Sequence, residues 1–243
     1  MNHLGEVLRI QLTNWRWSWP SMVLTGMLTP IMTLLALGTF SDVRGSDAYI
    51  FSGALTIALL FEMQNKIAAN FSHMKDTGAF EFFASLPLRR EAMIGGTLAA
   101  FLLLALPALV VTALVGGTVF ELDFAPSYPA LVPVVLATAA FAGIGAAIGT
   151  ACTSVNQASG LSLAATVVLT AIGPVLVPPD RLPDWLVAAG PYNPAALASD
   201  ALRTLFTGVS AYGLWWDTLG LLVFCGLVQL VLTRAMPWRN RTA

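Results

Sequence analysis

The chain has 243 residues, of which 57% are apolar and only 10% charged, and its mean hydropathy is +0.76. A soluble domain carries roughly a quarter charged residues, so a soluble globular enzyme and a disordered chain are both excluded. The formal net charge of -1 offers no basic excess, and a nucleic-acid partner has no support.

The first organised segment is polar and apolar by turns. Leu4, Leu8, Leu12, Trp15 and Trp19 recur at helical spacing, with Glu6, Arg9, Asn14 and Arg16 between them. That pattern predicts an in-plane amphipathic helix over 1–19 with tryptophans at headgroup depth. A plain extension of the first span is the alternative. The first apolar run begins near Pro20 and is too long for a signal core, so no cleavable signal peptide is expected.

Charge-free runs then mark membrane spans. The first covers 17–41. A second begins at 48–61 and continues through Glu62 and Lys66 to about Ala69. The third is 92–120. Residues 124–179 carry no charge and are too long for one helix. The polar patch at Cys152, Thr153, Ser154, Asn156 and Gln157 divides them into spans near 128–151 and 158–177. The sixth runs over about 212–232. The sequence therefore predicts an all-α integral membrane protein with six transmembrane helices in a single domain: 1–19, spans one to five over 20–177, an outer segment at 178–211, and the last span with its tail at 212–243.

Orientation follows from the basic residues. One side receives Arg9, Arg16, Lys66, Lys75, Arg89, Arg90, Arg234, Arg239 and Arg241, and the other receives Arg44, Arg181 and Arg203. The richer side is cytoplasmic, so both termini of a multi-pass protein of the inner (plasma) membrane are placed there. Two connections exceed a simple turn. The cytoplasmic one, 70–91, has an amphipathic middle with Phe82, Phe83 and Leu86 beside Glu81. The outer one, 178–211, is broken by prolines yet apolar between them, which favours interfacial or re-entrant helices.

Catalytic chemistry is missing. His3 and His73 stand far apart, no cluster has metal-ligand spacing, and Cys152 and Cys225 lie inside apolar runs as packing residues. No Gly-Lys-Ser/Thr occurs, so the chain has no phosphate-cradling loop, and energy must enter through a partner or an ion gradient. Neither a catalytic residue nor a metal site is expected. Glu62 and Lys66, at i and i+4, form either a structural pair or part of a path. Ser159, Ser162, Thr166 and Thr170 form a hydroxyl stripe that suits helix contacts or a path. Gly145 and Gly149 permit close helix packing. Pro30 and Pro107 sit inside the first and third spans and are expected to kink them.

The loop residues Thr77, Gly78, Glu81, Leu86, Pro87, Arg90 and Gly96 resemble the cytoplasmic loop of type-2 permeases of ATP-binding-cassette (ABC) exporters. In the outer segment, Pro178, Pro179, Leu182, Pro183, Trp185, Asn193, Pro194, Asp200, Arg203 and Gly208 resemble the same family's proline-bearing segment, Asn-Pro pair and Asp-x-x-Arg helix. The resemblance covers nearly the whole chain. It implies an N-terminal connecting helix, a cytoplasmic coupling helix around 78–86, and two short re-entrant helices before the sixth span.

It also implies partners. Two copies of a cytoplasmic ATPase subunit would carry ATP and Mg, and this chain would hold no cofactor of its own. A second permease copy would complete a homodimer in lipid, moving a drug, antibiotic, lipid or other hydrophobic compound. The implied ATPase-coupling residues are Thr77, Gly78, Phe80, Glu81, Phe82, Phe83, Leu86, Pro87, Arg89 and Arg90. The implied translocation path uses Thr25, Thr29, Thr33, Phe61, Glu62, Lys66, Ser159, Ser162 and Thr166. The outer motif comprises Pro183, Trp185, Asn193, Pro194, Asp200 and Arg203. A secondary transporter using Glu62 as a proton site is the rival reading. An intramembrane enzyme is disfavoured.

Overall fold

A computed structural model describes residues 3–15, 19–39, 46–79, 90–122 and 124–235. Helices α1 (His3–Trp15), α2 (Trp19–Gly38), α3 (Asp47–Leu59) and α4 (Lys66–Asp76) open the chain. The π-helical turn Leu60–Asn65 joins α3 to α4 without a break. Then follow α5 (Arg90–Val119), α6 (Leu131–Ala151), α7 (Val155–Ala171), α8 (Asp184–Ala189), α9 (Pro194–Thr207) and α10 (Leu214–Ala235). The described residues contain no strand.

The α3–π–α4 rod is the centre. It meets α2, α5, α6, α7 and α9, and its Phe51, Leu55, Leu59, Leu60, Met63, Ile67 and Phe71 form one core with Phe101, Phe141 and Leu197. A helix buried on every side has no outward face to carry polar residues. Ser52, Thr56, Glu62, Gln64, Asn70 and Ser72 are consequently buried too, and exposed polar residues appear only at its C-terminal end, at His73, Lys75 and Asp76.

The distribution of polarity is inverted relative to a water-soluble protein. Leu24, Leu28 and Met32 on α2, Val110 and Leu114 on α5, Val132 and Val135 on α6, Val167 and Val168 on α7, and Leu222 and Val223 on α10 are exposed. Hydrocarbon is the solvent that stabilises such a surface. Among the described residues, three helices are long and apolar enough to cross a membrane: Gly95–Val119, Tyr128–Ala151 and Leu214–Leu232. The shorter apolar stretches Gly26–Gly38 and Val155–Ala171 stand beside them. Tyr128, Tyr192, Trp185, Trp215 and Trp216 are exposed near helix ends, where amphipathic rings suit the headgroup layer.

Several boundaries differ from the sequence expectations. The fourth apolar stretch matches at 128–151. The fifth stops at Ala171, short of Val177, because Gly173 takes a φ of +97° and Pro174 follows it. The N-terminal amphipathic helix, described over His3–Trp15, packs on α5 with Val7 buried, so it rests on the bundle as well as facing outward. Pro30 and Pro107 lie inside α2 and α5, and both helices continue through them.

The Gly145 and Gly149 pair does what its spacing suggests. A β-carbon on Gly145 would lie 2.3 Å from the Gln64 carbonyl oxygen, and one on Gly149 would lie 2.4 Å from that of Ala68. These two positions seat α6 directly against the backbone of the central rod. Gly149→Val is therefore expected to cost about 1–3 kcal/mol through overpacking. Gly160→Ala, with nothing within 4 Å of the new methyl, should leave thermal unfolding of the detergent-purified protein unchanged.

Candidate functional site

The central rod carries an ion pair at its π-helical turn. Lys66 Nζ donates to both carboxylate oxygens of Glu62, at 2.6 and 2.7 Å. The Glu62 side chain is 1% exposed and that of Lys66 18%. Single π turns inside α-helices recur at functional positions because they re-aim side chains. Here the carboxylate is aimed at α2, where Gly26 makes room: a β-carbon there would lie 1.7 Å from Glu62 Oε1. Sequence reasoning singled out Glu62 and Lys66 but not Gly26, since glycine is common in membrane helices.

The next polar residue of the rod binds α7. Gln64 Nε2 donates to the Ser162 carbonyl at 2.9 Å and to Thr166 Oγ1 at 3.2 Å. Thr166 Oγ1 in turn donates to the Ser162 carbonyl at 3.0 Å. Ser162 and Thr166 are thus buried as contacts between helices, whereas Ser159, one turn earlier on the same stripe, is exposed. Phe61 is half-buried. Gln64 was not legible in advance, because its partners stand about a hundred residues further along the chain.

On α2, Thr29 and Thr33 sit in an open groove with Leu28, Met32 and Ala36. Thr33 Oγ1 donates back to the Thr29 carbonyl at 2.9 Å, which satisfies that hydroxyl within its own helix. The α2 groove and the Glu62–Lys66 pair are therefore different faces, one open and one buried.

At the end of α4 the helix is stopped by its own chemistry. Thr77 N and Thr77 Oγ1 both donate to the His73 carbonyl, at 3.0 and 2.8 Å, and Gly78 N donates to the Lys75 carbonyl at 3.2 Å. Gly78 has a φ of +69°, the left-handed value that glycine adopts freely after a helix. Thr77 and Gly78 thus terminate α4, and the rest of the helix expected around 78–86 lies, beyond Ala79, outside the described residues. Lys75 Nζ donates to the Thr150 and Cys152 carbonyls, at 3.1 and 2.9 Å, tying this end to the C-terminus of α6. Phe80, Glu81, Phe82, Phe83, Leu86, Pro87 and Arg89 lie outside the described residues, as do the side chains of Thr25 and Arg90.

The segment 178–211 folds around three motif residues. Asn193 Oδ1 accepts from Ala195 N at 3.0 Å and caps α9, with Pro194 at its first position. Its Nδ2 donates to the carbonyls of Leu169, at 2.7 Å, and Ile172. One side chain thereby closes the end of α7 and the start of α9. Asn193→Ala is expected to lower stability by about 1–2 kcal/mol, as for other cap losses, read from thermal unfolding in detergent. Asp200 accepts from Ser210 Oγ at 2.7 Å, Ala211 N at 2.8 Å, Tyr212 N at 3.0 Å and Arg203 Nη2. The Arg203 guanidinium lies 3.8 Å from the Tyr49 ring centroid, within cation–π range. Pro183 precedes α8, and Trp185 on it is exposed.

Residues 4–207 match the ABC-2 type transporter family. The chain belongs to that family. It is also similar to the daunorubicin resistance ABC transporter permease protein DrrB1 of Streptomyces coeruleorubidus. The two are 25% identical over 234 residues, covering 92% of this chain and 82% of that protein. An ABC-2 permease is a transporter subunit of the membrane, in keeping with the apolar exterior. Among the described residues of this ABC-2 permease, no group of His, Cys, Asp and Glu could hold a metal ion.

Proposed function

We propose that this chain is the membrane-spanning permease subunit of an ATP-driven exporter, working as a pair of copies to move an amphipathic or hydrophobic compound. The observation that carries this reading is the family match over 4–207, joined by likeness to a permease named for daunorubicin resistance. A drug or antibiotic is accordingly the favoured cargo, with a lipid next. The six spans are α2, the α3–π–α4 rod, α5, α6, α7 and α10. Both termini face the cytoplasm of a cell whose inner membrane holds the protein, with α8 and α9 as the short re-entrant pair on the outer side.

The path runs between the two copies. The open α2 groove, with Thr29 and Thr33 and the neighbouring Thr25, and the exposed face of α7, with Ser159, suit that position. Glu62 and Lys66 sit one layer behind α2 at Gly26, with half-buried Phe61 next to them in the chain, while Ser162 and Thr166 fix the rod to α7 through Gln64. Energy enters from a cytoplasmic ABC ATPase subunit, two copies per complex, which binds ATP and Mg. This chain breaks no covalent bond and holds no cofactor. Its handle is the segment after Thr77 and Gly78: Phe80, Phe82, Phe83 and Leu86 supply apolar anchors, Pro87 a stop, and Glu81, Arg89 and Arg90 charged contacts. Lys75 links the root of that handle to α6. Closure of the ATPases then moves both handles and shifts the pair between inward and outward access.

Alanine at both Phe82 and Phe83 is expected to abolish cargo-stimulated ATP hydrolysis while leaving the chain in the membrane. The assay is ATP turnover of the co-purified complex in nanodiscs. Unchanged stimulation and unchanged complex yield would mean that the segment binds lipid alone.

A further inference from the structure

Lys75 stands in the last turn of α4, next to the stop made by Thr77 and Gly78. Its amine takes part in neither of the two ion pairs found among the described residues. It is spent instead on two backbone carbonyls from elsewhere in the chain, those of Thr150 at 3.1 Å and Cys152 at 2.9 Å. The last carbonyls of a helix lack partners within it and form the negative end of its dipole. A cation placed there makes charge-assisted bonds, the stronger class.

What Lys75 holds is a stiff joint. Cys152 N donates to the Ile148 carbonyl at 3.0 Å and closes α6. Thr153 N and Thr153 Oγ1 both donate to Gln157 Oε1, at 3.0 and 2.9 Å, and Gln157 N donates to Ser154 Oγ at 3.3 Å. This reciprocal cap of the Ser-x-x-Gln kind starts α7. The turn 152–154 therefore has little freedom of its own, and displacement of its carbonyls is passed on to α7. The packing points the same way. Helix α4 lies mainly against α6 and α7 and only lightly against α5, although the segment after Gly78 leads into α5. Further along the same rod, Gly149 seats α6 at the Ala68 carbonyl, and Gln64 holds α7 at Ser162 and Thr166.

We propose that Lys75 is the positioning residue that carries motion of the segment after Gly78 into α7, by fixing the end of α4 to the α6–α7 turn. The inference rests on the transport reading, in which the ATPase moves that segment and the exposed face of α7 borders the path. With the bond in place, α4, the turn and α7 move as one body. Without it, the segment shifts while α7 stays behind.

The test compares wild type, Lys75→Met and Lys75→Arg, each reconstituted in nanodiscs with the ABC ATPase subunit. Lys75→Met is expected to keep its basal ATP hydrolysis and to lose about tenfold in daunorubicin-stimulated hydrolysis, the scale of one charge-assisted hydrogen bond. Lys75→Arg keeps the charge and the donors and should retain most of the stimulation. A bond that only steadied the fold would lower the melting temperature of Lys75→Met and leave the ratio of stimulated to basal hydrolysis intact. That unchanged ratio overturns the proposal. A second measurement needs neither cargo nor the Met variant: spin labels at Asp76→Cys and Asn156→Cys, both exposed positions, with Cys152 and Cys225 replaced by alanine. Their separation should be the same in the nucleotide-free and ATP-trapped complexes, and a separation that changes between the two overturns the proposal. A wild-type complex whose hydrolysis drives no transport counts against the transport reading, and the labels then decide whether α4 and α7 move together.

Discussion

Lys66→Met is expected to destabilise the protein by about 3–5 kcal/mol, the usual result of removing one partner from a buried ion pair. Glu62→Gln should cost much less. The asymmetry comes from position. The Glu62 side chain is 1% exposed and points into the notch at Gly26, so without Lys66 its charge has no route to water. The Lys66 side chain is 18% exposed and its stem is flexible, so without Glu62 the amine can bend outward. The double variant Glu62→Gln/Lys66→Met should recover most of the loss, because an uncharged pair of similar volume leaves nothing unpaired. Denaturant unfolding of the four proteins gives the cycle. Additive single losses would show that the two residues are not coupled. The same series read by transport also separates a structural pair from a proton site: the double variant should still export, whereas a carrier driven through Glu62 would stop.

Asp200→Ala is expected to cost a similar amount, about 3–5 kcal/mol. Its carboxylate collects the Ser210 hydroxyl, the Ala211 and Tyr212 amides and the Arg203 guanidinium. Ser210 Oγ then accepts from Gly213 N at 2.7 Å, which continues the network into the start of α10. Removal strands a guanidinium that is 1% exposed and frees the turn joining α9 to α10. Thermal unfolding in detergent should drop sharply, and the 208–213 turn should become open to proteolysis. A loss within about 0.5 kcal/mol, the scale of an ordinary surface change, would contradict this arrangement.

Much of this was legible in the residues, and the reasons differ by element. The 128–151 stretch was read correctly because charge and a polar patch bound it on both sides. The end of α7 was missed for the opposite reason: residues 172–177 remain apolar, so hydropathy ran on, while Gly173 and Pro174 had already turned the backbone. Asn193 and Pro194 appeared as a motif, and their geometry shows why the pair is useful, one side chain serving two helix ends. Asp200 and Arg203 were visible as a spacing, but Asp217 was not. An acid in the first turn of a helix usually answers the helix dipole, and only the folded chain buries its side chain completely. Gln64 and Gly26 were silent in the sequence because each acts on a partner from another helix. The residues assigned to ATPase coupling rest on the family pattern alone, and of Thr77 and Gly78 the fold adds only that they end α4.

The central claim is that this permease has no motor of its own. The most direct test is reconstitution of the purified chain in sealed liposomes, with and without the ABC ATPase subunit proposed to drive it, using daunorubicin as the first trial cargo. Uptake against a gradient is expected only when that subunit and ATP are both present, and a protonophore should leave it unchanged. Uphill transport by the chain alone, driven by a proton gradient and stopped by Glu62→Gln, would contradict the account.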